Sequence, residues 1–237
     1  DEELEITGRL ATKHDVIIME DLAYMGMDFR TDFSKPFEAP YVSSVAKYTD
    51  NYILLMSASK IFSYAGQRIA LVGMSQKVAE RKYQALKDFF GIEGFIDAYV
   101  FGVLYAASSG TSHSAQYALA GMLEAAVEGR LDFVADSREY GRRGGIVKKM
   151  LTDNCFHIVY SIDGDQPISD GFFFTAGYKD MTSGELQYEL IRYGVSSISL
   201  PSTGSEQNGV RICVSMISDD QAFRTLEERL KAFDADH

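Results

Sequence analysis

Two short, uninterrupted apolar runs, residues 16–19 and 52–56, constrain the fold of this chain most strongly. Neither run alternates with polar residues, and this pattern is typical of strands that are buried on both faces of a parallel sheet. Polar residues follow each run at once: Asp21 comes after the first, and Lys60 after the second. Because open α/β sheets bind ligands at the carboxyl ends of their strands, we expect an α/β fold with a polar site there.

The segment after the second run contains the candidate reactive and phosphate-binding residues. A neutral lysine amine is a nucleophile towards carbonyls and can hold a carbonyl compound as a Schiff base, which makes Lys60 a candidate. Ser57 and Ser59 precede this lysine and Arg68 follows it. Hydroxyls and a planar guanidinium are suited to a phosphate group. The segment can therefore bind both ends of a phosphorylated aldehyde, although Lys60 as a solvated residue after a strand remains an open alternative.

The remaining pattern predicts two domains. Residues 68–74 read as a third strand, and their connection from Lys60 is too short for a helical crossover, so this strand should run antiparallel or within a mixed sheet. We predict helices at residues 2–13, 76–90, 112–128 and 132–151, the last with a glycine break at residues 144–145, and a long loop at residues 25–43. We place a domain boundary near residue 145 and predict an α+β domain over residues 146–237.

That second domain is predicted from short strands at residues 156–161, 171–177 and 210–216, with helices at residues 183–193 and 219–233.

The net charge of −11 argues against nucleic acid as a partner. The sequence has no apolar run of about 18 residues, so we expect no membrane span, and we predict no metal site. Cys155 and Cys213 lie in apolar runs and read as small core residues, which is consistent with a reducing, cytoplasmic location.

Three motifs together resemble one family. They are Asp21-Leu-Ala-Tyr24, then Ser57-Ala-Ser59-Lys60 with Gly66-Gln-Arg68, and finally Asn208-Gly-Val-Arg211. Their order and spacing resemble the fold-type I pyridoxal-phosphate enzymes, specifically the class I/II aminotransferases, over nearly the whole chain. Two departures are Ala70, where the family tends to have glycine, and the turn at residues 201–204, where the family usually has Pro-Gly.

The resemblance implies a role for each of these residues. Lys60 would form the Schiff base with pyridoxal 5′-phosphate and then act as general base and acid, while Asp21 would pair with the pyridine nitrogen and Tyr24 would donate to the ring's phenolic oxygen. The phosphate would be held by Ser57, Arg68 and also Ser59. Arg211 would bind the α-carboxylate of the substrate bidentately.

The same resemblance implies an aspartate-aminotransferase-like fold, with residues 1–145 as the C-terminal part of the large cofactor-binding domain. It implies an aminotransferase that moves an amino group between an amino acid and a 2-oxo acid. A lyase, a decarboxylase or a ligand-sensing domain of a regulator on the same scaffold remains an alternative. We expect this sequence to be the C-terminal portion of a longer chain that forms a homodimer, and we expect weak cofactor binding from the present portion alone.

Overall fold

A mixed sheet in the first half of the chain is built from β1 (Ile18–Asp21), β2 (Tyr52–Ser57) and β3 (Ala70–Met74). The computed structural model describes residues 1–30, 32, 35–169 and 171–237. The strand order is β1-β2-β3, with β1 parallel to β2 and β3 antiparallel to it. The second apolar run is confirmed as a strand, and the short connection after Lys60 gives the antiparallel return that its length predicts.

Helices accompany this sheet. They are α1 (Glu2–His14), α2 (Ala58–Ile61), α3 (Gln76–Ala79), α4 (Gln84–Phe90), α5 (Phe95–Asp97), α6 (Tyr105–Ser108) and α7 (His113–Val127), and a π-helical stretch, Ala98–Leu104, joins α5 to α6. The predicted helices at residues 2–13 and 112–128 are confirmed by α1 and α7. The single helix predicted over residues 76–90 is wrong, because the chain forms two short helices there.

The core of this half fixes the position of α2. Ala58 of α2 and Ile69, which precedes β3, are buried together with Ala115 and Leu119 of α7. Four partly buried side chains pack against that cluster: Phe62, Tyr64, Met122 and Leu123. Because closely packed side chains resist displacement, the packing of Ala58 in this cluster fixes the position of the helix that carries Lys60.

The second half forms an antiparallel sheet with flanking helices. Its elements are α8 (Phe133–Thr152), β4 (Phe156–Ile158), β5 (Ile162–Asp163), β6 (Gln166–Pro167), β7 (Phe173–Tyr178), α9 (Ser183–Arg192), β8 (Ile198–Ser199), β9 (Val210–Cys213) and α10 (Asp220–Asp236). The main sheet has the order β4-β7-β9-β8, and each neighbouring pair is antiparallel. This confirms the predicted α+β character.

The glycine break predicted in the connecting helix is wrong. Helix α8 continues through Gly144 and Gly145 without interruption. Each helical glycine costs about 1 kcal/mol relative to alanine, which is less than the burial of one large aliphatic side chain contributes. Val147 and Leu151 are both buried on the following turns, so packing offsets the weak local preference.

Two compact units divide the chain: residues 1–26 with 33–134, and residues 27–32 with 135–237. The boundary near residue 145 stays a prediction. The predicted loop at residues 25–43 includes Thr31, Phe33 and Ser34, which lie outside the described residues, and its described part contains turns, bends and irregular backbone without a helix or strand. Within the described ranges, no helix combines the length and hydropathy that crossing a bilayer requires.

Two burial predictions are wrong. Met19 of β1 is 64% exposed and Val16 is also exposed, so the first apolar run is not covered on both faces within the described residues. Cys155 and Cys213 are both exposed free thiols rather than core residues. Cys155 adopts a left-handed turn after α8, and Cys213 lies on the outward face of β9, where burial alternates with a period of two.

Candidate functional site

Most of the predicted site residues lie at one edge of the three-stranded sheet. Asp21 is the last residue of β1 and lies opposite Leu55 of β2. Ser57 ends β2 and lies opposite Ala70, the first residue of β3. Because β1 and β2 are parallel and β3 is antiparallel, the ends of β1 and β2 and the start of β3 lie at the same edge of the sheet.

Asp21 begins a tight turn at this edge. Its Oδ1 accepts a hydrogen bond from the backbone N–H of Ala23 at 2.9 Å, and the N–H of Leu22 donates to the carbonyl of Leu55 at 2.8 Å. The side chain of Asp21 is exposed. A carboxylate held by its own turn and open to solvent can accept a hydrogen bond or pair with a cation.

Lys60 lies in α2, the single-turn helix that directly follows β2. Ser57 caps α2, since its Oγ accepts from the N–H of Ser59 at 3.1 Å. The N–H of Ala58 donates to the carbonyl of Ile69 at 3.3 Å, which ties α2 to the segment leading into β3. Ala58 and Ile61 are buried, whereas Lys60 between them is only partly buried. The apolar residues of this single turn therefore fix the backbone, and the lysine side chain stays partly exposed.

The turn after β1 meets the helix after β2. The Nζ of Lys60 lies 5.3 Å from the centroid of the Tyr24 ring, within the range of a cation–π contact. Gly26 has a φ of +77°, and a Cβ at this position would lie 3.0 Å from Cδ1 of Ile61. A residue with a side chain would therefore be strained at this position by the backbone conformation and would crowd Ile61. The amine of Lys60 and the phenol of Tyr24 share one small region.

The groups predicted to bind phosphate lie at the same edge of the sheet. Arg68 ends a 3₁₀ turn with φ 50° and ψ 51°, a left-handed conformation that is uncommon for a residue with a side chain. Its Nη1 donates to the carbonyl of Ala65 at 3.0 Å, and its guanidinium is exposed. Ser57 is the last residue of β2, and Ser59 lies in the first turn of α2. This set supplies one permanent cation and two hydroxyl donors.

Arg211 belongs to the second unit. It lies in β9, opposite Thr175 of β7 and Ile198 of β8. Its guanidinium carbon lies 4.5 Å from the centroid of the Phe173 ring. Among the described residues, no carboxylate forms an ion pair with Arg211. The other six predicted site residues therefore lie at one edge of the sheet in the first unit. They are Asp21, Tyr24, Ser57, Ser59, Lys60 and Arg68. Arg211 lies in the sheet of the second unit.

The sequence did not predict that the neighbouring carboxylates of Glu20 and Asp21 have different contacts. The Oε2 of Glu20 accepts hydrogen bonds from the Oγ of Ser44 at 2.7 Å and from the N–H of Val45 at 3.0 Å. Glu20 therefore fastens a loop, while Asp21 faces solvent. The alternation along β1 was the available signal, because successive side chains of a strand point to opposite faces. The stacking of Phe173 on Arg211 was also missed, since it depends on strand register.

Comparison with known proteins gives one family and a consistent fold. The family described as "Aminotransferase class I and II" matches residues 1–228. A tetra mutant of Thermus thermophilus aspartate aminotransferase is 22% identical with a TM-score of 0.68, over 98% of this chain and 55% of that one. The aromatic aminotransferase of Pyrococcus horikoshii OT3 is 17% identical with a TM-score of 0.65, over 98% and 54%.

A third solved structure extends the comparison. YbdL from Escherichia coli, described with a methionine aminotransferase function, is 17% identical with a TM-score of 0.63, over 91% of this chain and 50% of that one. The chain therefore spans about half the length of the solved structures that it matches. A search of curated protein sequences gives no significant match.

Proposed function

Because the chain belongs to the class I and II aminotransferase family, we propose that it carries the central binding residues of a pyridoxal-phosphate-dependent aminotransferase. Members of this family use pyridoxal 5′-phosphate. The observation that carries the proposal is the 5.3 Å separation between the Nζ of Lys60 and the ring of Tyr24, at the sheet edge where Asp21 ends β1. The nearness of the amine to the phenol, on segments that follow neighbouring strands, supports the proposal.

The donor set fits each functional group of the cofactor. Its aldehyde needs a nucleophilic amine, which Lys60 supplies, and its ring nitrogen needs an anion, which Asp21 supplies. Its ring oxygen needs a hydrogen-bond donor, and Tyr24 has a phenolic O–H. Its phosphate needs donors and positive charge. We assign Ser57, Ser59 and Arg68 to that group.

When bound, the cofactor acts as an electron sink for a carbanion at the substrate Cα. Asp21 would favour the protonated form of the ring nitrogen, because a neighbouring anion stabilises the protonated base. Tyr24 donates a hydrogen bond to the ring oxygen. The amine of Lys60 would hold the cofactor aldehyde and, once an amino acid has taken its place, would act as general base towards the proton on Cα and then as general acid.

Arg211 is the residue that we assign to substrate binding. Its planar fork is suited to binding the α-carboxylate of an amino acid or 2-oxo acid bidentately, and this would orient the bonds at Cα. The substrates we propose are accordingly an amino acid and a 2-oxo acid. We also propose that the whole protein acts as a homodimer in the cytoplasm.

Product analysis tests this function. The protein would be incubated with excess pyridoxal phosphate, a panel of amino acids and 2-oxoglutarate. We expect a new amino acid from the oxo acid, and we expect Lys60→Ala to lower this transfer by at least about 10²-fold, because positioned acid–base catalysis contributes about 10²–10⁴-fold. Lys47→Ala is the matched control, since Lys47 is an exposed lysine of the same unit, and it should retain the wild-type rate.

Other products would redirect the assignment. Ammonia with pyruvate would indicate β-elimination, carbon dioxide would indicate decarboxylation, and ligand binding without any product would indicate a sensing role. Full amino transfer by Lys60→Ala would contradict the assigned role of this lysine.

A further inference from the structure

The guanidinium of Arg211 rests on an aromatic face that none of the motifs includes. Its central carbon lies 4.5 Å from the centroid of the Phe173 ring. Strand register explains the contact, because Arg211 of β9 lies opposite Thr175 of β7, and Phe173 lies two residues away on that same strand. Residues two apart share a face, so Phe173 is the diagonal neighbour of Arg211 across the sheet.

The ring of Phe173 is itself held in place. Its centroid lies 4.4 Å from that of Phe172, at an interplanar angle of 42°. Phe172 is buried and in turn contacts Tyr140 of α8, with the ring centroids 5.1 Å apart. These contacts link the face under Arg211 to the interior of the second unit. The ring therefore has less freedom to turn than an isolated surface phenylalanine.

Stacking constrains an arginine without consuming its hydrogen-bond donors. The ring attracts the cation through its face, whereas the five N–H groups of a guanidinium lie in the guanidinium plane. A free arginine loses much rotamer entropy when it binds a carboxylate, and an arginine that is already oriented loses less. An aromatic platform should therefore favour bidentate binding of a carboxylate by the in-plane N–H groups of the guanidinium.

We infer that Phe173 is a positioning residue, which holds the guanidinium of Arg211 in the orientation that binds the substrate α-carboxylate. This inference rests on the proposed function, because Arg211 is the residue assigned there to the carboxylate. Phe173 acts through Arg211 and needs no contact with substrate. Its contribution should consequently appear in substrate affinity rather than in the proton-transfer step.

The test compares Phe173→Leu with Phe173→Tyr by steady-state amino transfer. Leucine removes the aromatic face but keeps an apolar side chain, and tyrosine keeps the ring. We expect Phe173→Leu to raise KM for the amino acid and for the 2-oxo acid about 2- to 30-fold, the range that cation–π contacts span, with kcat changed little. Phe173→Tyr should restore KM to near the wild-type value, and urea unfolding would verify that each variant is folded.

A double-mutant cycle with Arg211→Ala separates positioning from a merely structural role. We expect Phe173→Leu to lower kcat/KM in the wild-type background and to have almost no further effect once Arg211 is alanine. An equal loss in both backgrounds, or a KM unaffected by Phe173→Leu in an active protein, would overturn the inference alone. A wild-type protein without any amino transfer would overturn the proposed function, and the inference with it.

Discussion

Replacing Asp21 with asparagine is expected to slow amino-group transfer by about 10- to 1,000-fold. An opposite charge at close range shifts a pKa by about 1–3 units, and each unit corresponds to about 1.4 kcal/mol. Asparagine removes that charge while keeping the shape, so the ring nitrogen would lose the partner that keeps it protonated. If the same free energy is lost from the transition state, the rate falls by the stated factor. The measurement is kcat for the amino donor with excess pyridoxal phosphate.

The neighbouring carboxylate provides a matched control for that prediction. Glu20→Gln removes the same charge one residue earlier, but Glu20 binds Ser44 and Val45 rather than facing the site. We expect it to lower stability and to leave kcat of the folded protein nearly unchanged. Asp21→Glu should recover part of the lost rate, because it restores the charge at a shifted position. Equal losses of kcat in Asp21→Asn and Glu20→Gln would mean that the charge acts non-specifically.

Replacing Phe233 with alanine is expected to destabilise the second unit by about 3–5 kcal/mol, the usual range for a buried phenylalanine. Phe233 of α10 is 0% exposed. Its ring centroid lies 4.9 Å from that of Tyr178, 5.4 Å from that of Phe156 and 4.5 Å from that of His237. Alanine would leave a cavity among these rings. Urea unfolding followed by circular dichroism measures the change in the free energy of unfolding.

Phe89→Ala makes the same chemical change at an exposed position. Phe89 is 82% exposed on α4, so its loss should change the free energy of unfolding by about 0.5 kcal/mol or less. A Phe233→Ala variant as stable as Phe89→Ala would contradict the packing of α10 described above.

Local pattern and connection length predicted much of the fold. The run at residues 52–56 forms β2, and the short path from Lys60 to β3 forced an antiparallel return. The parallel pairing of β1 with β2 then brought Asp21 and the segment around Lys60 to one edge. This part of the site follows from rules on strand ends, which need no knowledge of side-chain packing.

Contacts set by distant elements could not be predicted in the same way. An apolar run does not reveal which of its faces is covered, and so the exposure of Met19 was missed. Gly144 and Gly145 signal a break locally, but packing of the following turns keeps α8 continuous. The contact between Phe173 and Arg211 requires the register of two strands that lie far apart in sequence.

The central claim is that the amine of Lys60 receives the cofactor aldehyde at the edge where Asp21 and Tyr24 lie. Borohydride reduction of the protein with excess pyridoxal phosphate, followed by peptide mapping, tests it most directly, because reduction fixes even a weakly populated Schiff base. We predict that the pyridoxyl label is concentrated on Lys60 and that Lys60→Ala loses it. Label spread over exposed lysines such as Lys47, Lys82 and Lys149, with no preference for Lys60, would contradict the account.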